Sequence, residues 1–207
     1  DGEKMAKSRP EYCVDPIDTI NEYGADALRT YEMFIGDYEK DSVWSDNGLK
    51  GCKKFLDRIY RMKDKLVSDN NYSKELENII HKTIKKVTND MLSMKFNTAV
   101  SALMILVNEY DKMDNITSGD YKVLLTLLNP MAPHMTEELN EECKLGDILA
   151  YTAWPTYYET KTIDEVIEIG VQVNGKLRGS IKINLNEEED SVKEKALNEP
   201  NVNKYLL

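Results

Sequence analysis

Between Leu49 and Leu66 the apolar residues Leu49, Cys52, Phe55, Leu56, Ile59, Met62 and Leu66 recur at three- and four-residue intervals. That spacing puts them on one stripe of an α-helix, and so regular a stripe must be buried against other apolar surface. Lys50, Lys54, Asp57, Arg58, Arg61 and Lys65 fall largely on the other side. The pattern then returns. After a turn at Asp69-Asn70-Asn71, Ser73 is placed to cap a helix carrying Leu76, Ile79, Ile80, Ile84, Val87 and Met91, with Lys82, Lys85 and Lys86 outside. A third helix is predicted from Phe96 to Tyr110 through Val100, Leu103, Leu106 and Val107. Ser118 is expected to cap a fourth over Tyr121 to Leu128, and Thr136-Glu137-Glu138 to open a short fifth. Amphipathic helices joined by short polar turns call for a helical bundle. Met91, Met94, Met104 and Met113 are expected to fill gaps in its core.

The flanks read differently. Asp15-Pro16-Ile17-Asp18 supplies a capping residue and a proline at the first helical position, so a helix opens there and runs to Tyr23 before Gly24. Asp26 precedes a second helix on which Leu28, Tyr31 and Phe34 share a face, and Gly36 to Ser45 is a loop anchored by Trp44. At the other end Tyr151 to Tyr158 is an aromatic, proline-interrupted stretch, read as extended chain. Residues 165–173 alternate, Asn174-Gly175 is a favoured hairpin turn, and Lys176 to Ile183 supplies the return strand. Asp190 or Ser191 should cap a last helix. One hairpin and one helix make a poor core, so this α+β piece reads as truncated.

Net charge is -10, which argues at first against a polyanionic partner. The distribution reverses that. Residues 47–100 hold twelve Lys and Arg against six Asp and Glu, a balance of +6 that leaves -16 for the rest. A basic segment in an acidic chain is the footprint of a polyanion-binding surface, or else a lysine-rich solvated face. No apolar run approaches the ~20 residues that span a bilayer, so no membrane partner and a cytoplasmic location are expected. Cys13, Cys52 and Cys143 are widely spaced, which supports neither a disulfide framework nor a metal site. His134, between Pro133 and Met135, reads as a packed, hydrogen-bonded turn residue rather than an acid or base.

At the N-terminus, Lys4-Met5-Ala6-Lys7-Ser8 sets two lysines three positions apart. Two ammonium groups so placed can meet a polyphosphate whose charge shifts during reaction, and lysine suits that task as a compact charge on a flexible stem. The pentapeptide resembles the loop signature of class I aminoacyl-tRNA synthetases. Three further stretches carry the resemblance: Glu22-Tyr23-Gly24-Ala25-Asp26-Ala27-Leu28-Arg29, Leu127 to Leu139 around Asn129-Pro130-Met131-Ala132-Pro133-His134, and Val171-Gln172-Val173-Asn174-Gly175-Lys176-Leu177-Arg178-Gly179. The second is similar to a signature shared by the leucine, isoleucine, valine and methionine enzymes. The third, with Trp154-Pro155 upstream, is similar to the C-terminal hairpin of leucyl-tRNA synthetases of bacterial type. Two departures stand out: Ala6 replaces the usual serine, and Pro10-Glu11 stand where glycine-asparagine is common.

The resemblance implies a mostly α fold, a bundle of the class I synthetase anticodon-binding type followed by a truncated α+β piece. It divides the chain into 1–46, the end of a catalytic domain; 47–150, the tRNA-binding bundle; 151–164, an aromatic linker; and 165–207, the start of a C-terminal α+β domain. It implies ATP-dependent activation of leucine and transfer to tRNA(Leu), with Mg2+ accompanying ATP in the parent enzyme, a ligase. Lys7 would stabilise the migrating triphosphate charge, with Lys4 in support and Ser8 as a hydrogen-bond donor. The nucleotide-binding fold of the family lies upstream, so the chain alone is expected to be inactive, to hold no cofactor and to be a monomer. Lys50, Lys53, Lys54, Arg58, Arg61, Lys65, Lys82, Lys85 and Lys86 are candidates for phosphate contacts. Lys176 and Arg178 could meet tRNA or keep a sheet edge soluble. The competing expectation is a noncatalytic, synthetase-derived helical module, which Ala6 and Pro10 favour.

Overall fold

The computed structural model describes residues 5, 6, 8–37, 39–164 and 166–205. Contacts divide the chain into two compact units, Asp1–Lys161 and Thr162–Leu207. Together they make a mostly α-helical protein, with a bundle in the first unit and a small α+β fold in the second.

The first unit opens with a tight turn: Arg9 N–H donates to Ala6 O at 2.8 Å, and Pro10 starts a 3-10 turn, Pro10–Tyr12. Helix α1, Pro16–Tyr23, begins where the Asp15 carboxylate accepts from Ile17 N–H at 2.7 Å. It ends at Gly24, whose φ of 91° is open to glycine and strained for other residues, and α2, Ala25–Phe34, follows at once. Trp44 anchors the next loop as expected. Its ring meets Tyr31 edge-on at 4.9 Å, and the Tyr31 hydroxyl accepts from Ser45 N–H at 2.6 Å.

The bundle proper is α3, Asp46–Arg61; α4, Glu77–Leu92; α5, Phe96–Lys112; α6, Ser118–Leu128; and α7, Pro133–Glu142. The α3 stripe buries Leu49, Cys52, Phe55, Leu56 and Ile59, with Met62 in the 3-10 turn beyond it. Val100, Leu103, Leu106, Val107 and Tyr110 of α5 are wholly buried, which puts this helix at the centre of the core. At ~1.5–3 kcal/mol for each large apolar side chain, these stripes supply most of the drive for folding. A short parallel pair joins β1, Leu66–Val67, to β2, Ile116–Thr117, a pairing that no local pattern announced.

Several helix boundaries differ from the sequence expectation. Ser73 is not the cap of α4: its N–H and hydroxyl both donate to the Asp120 carboxylate, and α4 starts four residues later. Helix α6 is capped by Thr117, not Ser118, because Asp120 at the third position completes a capping box with it. Helix α7 starts at Pro133, three residues before Thr136, since the Asp26 carboxylate from α2 supplies the missing cap to Met135 N–H at 2.6 Å. Met94 is half exposed at the α4–α5 turn with φ of 56°, so it fills no core gap, whereas Met91, Met104 and Met113 pack against the core.

In the second unit β3, Val166–Val173, pairs antiparallel with β4, Lys176–Asn184, with a register shift between Val171 and Gln172. Asn174 and Gly175 both take positive φ, 53° and 75°, as a two-residue hairpin turn requires. Helix α8, Glu189–Asn198, and α9, Pro200–Asn203, lie on one face of the hairpin, where Ile181 and Val202 are buried. Neither Asp190 nor Ser191 caps α8. Ser191 instead donates to Glu187, which also accepts from Asn184 N–H and Lys195 Nζ; these three donors, Lys195 foremost, hold the Glu187 carboxyl down to about 2.

Candidate nucleic-acid interface

Eleven basic residues were candidates for phosphate contact, and ion pairing sorts them. On α3, Lys53 pairs with Asp57 at 2.5 Å, and Arg58 forks onto Asp111, with Nη2 also donating to Asn108 at 2.8 Å. Lys65 donates to the carbonyls of Asp111 and Met113, both at 3.0 Å, where a cation complements the end of α5. Lys85 pairs with Glu159, which raises its pKa, and Lys86 grips both oxygens of Asp90. Lys82 is half-buried. These charges are compensated or tied down where they stand.

Lys50, Lys54 and Arg61 are different. Each is exposed, and none has an acidic partner among the described residues. Offsets of four and eleven residues on α3 bring them within about 40° of one another, on a stripe about 16 Å long. Two acids share that side of α3 by the same arithmetic: Asp57, paired with Lys53, and Asp46, which accepts from Trp44 Nε1–H. Tyr60, half exposed beside Arg61, lies under the Lys63 ammonium at 4.0 Å. Glu142, followed by Tyr60, raises the pKa of Lys63. Glu137, Glu138, Glu141 and Asp147, with Lys144 among them, line a cleft beside α7, an acidic surface unfavourable to a polyanion.

The outer face of α4 is covered by the aromatic segment. Trp154 Nε1–H donates to the Thr88 hydroxyl at 2.8 Å, Asn78 donates to Lys161 O at 3.0 Å, and Lys161 pairs with Glu77. Tyr158 N–H donates to Nδ1 of buried His81 at 3.2 Å, with Tyr72 and Tyr158 rings at 5.7 and 5.5 Å. Burial, then the Lys161 ammonium, lowers the His81 pKa, so folded His81 stays neutral where an unfolded histidine takes up a proton. Its contribution is complete above about pH 6.5 and is lost as pH falls toward the lower folded value. Stability of the first unit should therefore drop on acidification through this window. Urea midpoints by tryptophan fluorescence would register it, since Trp44 and Trp154 both lie in this unit. A His81→Gln variant with undiminished pH dependence would refute the assignment.

Of the remaining sequence candidates, Lys4 and Lys7 lie outside the described residues, and Ser8 is exposed. Lys176 is exposed at the hairpin turn, while Arg178 is half-buried and stacks on the Tyr205 ring at 3.8 Å. Among the described residues no group of three or more His, Cys, Asp or Glu could hold a metal ion, and no helix is long and apolar enough to cross a membrane. Sequence reasoning missed the contact between two of its own motifs. Asp26 accepts from His134 and Met135 N–H and sits 2.8 Å from His134 Nδ1, while Arg29 donates to the carbonyls of Pro130 and Met131. The His134 ring is hydrogen-bonded, as expected, yet 75% exposed rather than packed.

Residues 73–194 match the family model described as the anticodon-binding domain of tRNA ligase. The chain is 51% identical over 197 residues to a leucine–tRNA ligase of Alkaliphilus oremlandii, covering 95% of this chain and 24% of the relative. It is 43% identical over 206 residues to that of Elusimicrobium minutum, covering 99% and 25%. The chain thus spans about a quarter of the length of the curated relatives it matches. Among solved structures, a LeuRS from Agrobacterium radiobacter in a ternary complex with tRNA and LeuAMS is similar with a TM-score of 0.79 and 30% identity, over 99% of this chain and 29% of that one.

Proposed function

Because the chain belongs to the family of anticodon-binding domains of tRNA ligases, we propose that it is the tRNA-docking part of a leucine–tRNA ligase, a larger enzyme that activates leucine with ATP and transfers it to tRNA(Leu). The observation that carries this reading is the unneutralised stripe of Lys50, Lys54 and Arg61 on an otherwise acidic chain. Cations of this kind meet phosphate oxygens and position a nucleic acid without reading its bases. Lys53 and Arg58 lie beside the stripe on α3, Lys65 just beyond that helix, and Lys82, Lys85 and Lys86 on α4, while Lys176 offers a separate cation on the hairpin. The protein works in the cytoplasm as a monomer.

In the parent enzyme Lys7, supported by Lys4, stabilises the triphosphate charge that moves as leucyl-adenylate forms, and Ser8 donates a hydrogen bond to the nucleotide. Bound Mg2+ would supply further charge neutralisation at the phosphates. The 207-residue chain alone does not activate leucine, because two lysines without a nucleotide-binding fold cannot orient the reacting groups. Leucine-dependent pyrophosphate exchange above blank by this chain would overturn that part.

Titration of labelled tRNA(Leu) at several salt concentrations tests docking. Affinity should fall steeply with salt as bound counterions are released. A flat dependence, or no binding at low salt, removes the basic-stripe reading. A noncatalytic synthetase-derived module is the alternative, favoured by Ala6 and by Pro10, which sits in a compact 3-10 turn rather than a glycine-rich loop. A parent gene lacking an upstream nucleotide-binding fold would decide for it.

A further inference from the structure

Asp26 and Arg29 stand three residues apart on α2, hence on one face of that helix. From that face they reach both sides of the α6–α7 turn, more than a hundred residues away. The Asp26 carboxylate accepts from His134 N–H at 3.4 Å and Met135 N–H at 2.6 Å, in the first turn of α7. Arg29 Nη2 donates to Pro130 O at 2.9 Å and Nε to Met131 O at 3.2 Å. An anion thus faces the positive start of α7 and a cation faces carbonyls just after α6, each in its favourable sense. No side chain of α7's own N-terminus caps it, so Asp26 has no local substitute.

The rest of α2 is held by apolar contact through Ala27, Leu28 and Tyr31, with one directed bond, from Ser45 N–H to the Tyr31 hydroxyl, toward the following loop. Such contact is attractive in many orientations, whereas four directed hydrogen bonds admit one rotation of the helix. The orientation matters because α1 is joined to the start of α2 through a single glycine, Gly24, and segment 8–15 leads into α1.

We propose that Asp26 and Arg29 are positioning residues: they brace α2 against the α6–α7 turn and so orient the segment leading from the lysine signature toward the nucleotide. The functional half of this statement rests on the activity reading above. The brace itself does not.

The test uses the full-length gene product. Asp26→Asn and Arg29→Met should lower kcat for leucine-dependent pyrophosphate exchange roughly 10- to 100-fold, the scale of a small misplacement of reacting groups. KM for leucine should stay within about twofold, since the proposal gives Asp26 and Arg29 no contact with leucine. Arg29→Lys, which keeps the charge but loses the planar fork, should fall between wild type and Arg29→Met. A purely structural role would lower the melting temperature and leave kcat per folded molecule unchanged, and that result overturns the proposal. Hydrogen exchange gives a readout independent of activity. Peptides covering 10–24 and 129–136 should lose protection together in the variants while those of α4 and α5 keep theirs; unchanged protection of 10–24 overturns the brace. Should Asp26→Asn fail to fold, Arg29→Lys carries both measurements. A wild-type product without leucine-dependent exchange would sink the activity reading alone, and the exchange pattern would still decide the brace.

Discussion

Replacing Lys50, Lys54 and Arg61 together by glutamine is expected to weaken tRNA(Leu) binding on the order of 100-fold at low salt. Each exposed cation near a dense array of phosphates contributes about 1 kcal/mol, and 1.4 kcal/mol is a factor of ten, so three come to roughly two decades. The slope of log affinity against log salt should also become shallower by about one for each phosphate contact removed. The matched control replaces Lys85, Lys112 and Lys161 by glutamine, three lysines already bound to the exposed carboxylates of Glu159, Glu109 and Glu77. Those charges are largely spent on their carboxylates, so this triple variant should bind within several-fold of wild type. Equal losses in both variants would mean that only total charge matters and that the stripe has no special place. All six positions are exposed or half-buried and lie outside the core, which keeps folding out of the comparison.

The need for such a control shows where sequence reasoning runs out. Helix stripes were legible because a 3.6-residue period is local, and Leu49 to Met62 declared their burial without reference to any other segment. The hairpin was legible for the same reason, through Asn174-Gly175 and the alternation beside it. Charge was legible only as a sum. Lys53 with Asp57 and Lys86 with Asp90 are four-residue pairs that the helix itself predicts. Arg58 with Asp111 and Lys85 with Glu159 lie 53 and 74 residues apart, and their pairing depends on tertiary packing. Counting lysines therefore located a basic segment without saying which of its cations stand unpaired. The motifs around Asp26 and His134 were likewise each recognisable, but their hydrogen bonds to one another span 108 and 109 residues.

Capping was the other weak point, and it leads to the largest stability effect expected in the chain. Asp120→Ala should destabilise the first unit by about 3–5 kcal/mol. The carboxylate is fully buried and accepts from Ser73 N–H at 2.9 Å, from the Ser73 hydroxyl and from Thr117 N–H at 3.0 Å. Alanine leaves three donors without their acceptor, Thr117 N–H in a buried site and the two donors of half-buried Ser73, at ~1–3 kcal/mol for each unsatisfied group, with incomplete additivity. It also removes half of the α6 capping box, worth a further ~1 kcal/mol. The same side chain joins the turn before α4 to the start of α6, segments 47 residues apart, so its loss loosens both. Asp120→Asn retains one acceptor oxygen but turns an amide donor toward the others, and should fall between alanine and wild type. Thr117→Val removes the cap acceptor for Asp120 N–H and the hydroxyl's own bond to Asn71 O, and sets the baseline at ~1–2 kcal/mol. With a typical urea slope of ~1–3 kcal/mol/M, the alanine variant's midpoint should drop by more than about 1 M, read by Trp44 and Trp154 fluorescence. A midpoint no lower than that of Thr117→Val would show that the buried carboxylate acts as a cap and nothing more, and that the link between α4 and α6 is carried by apolar packing.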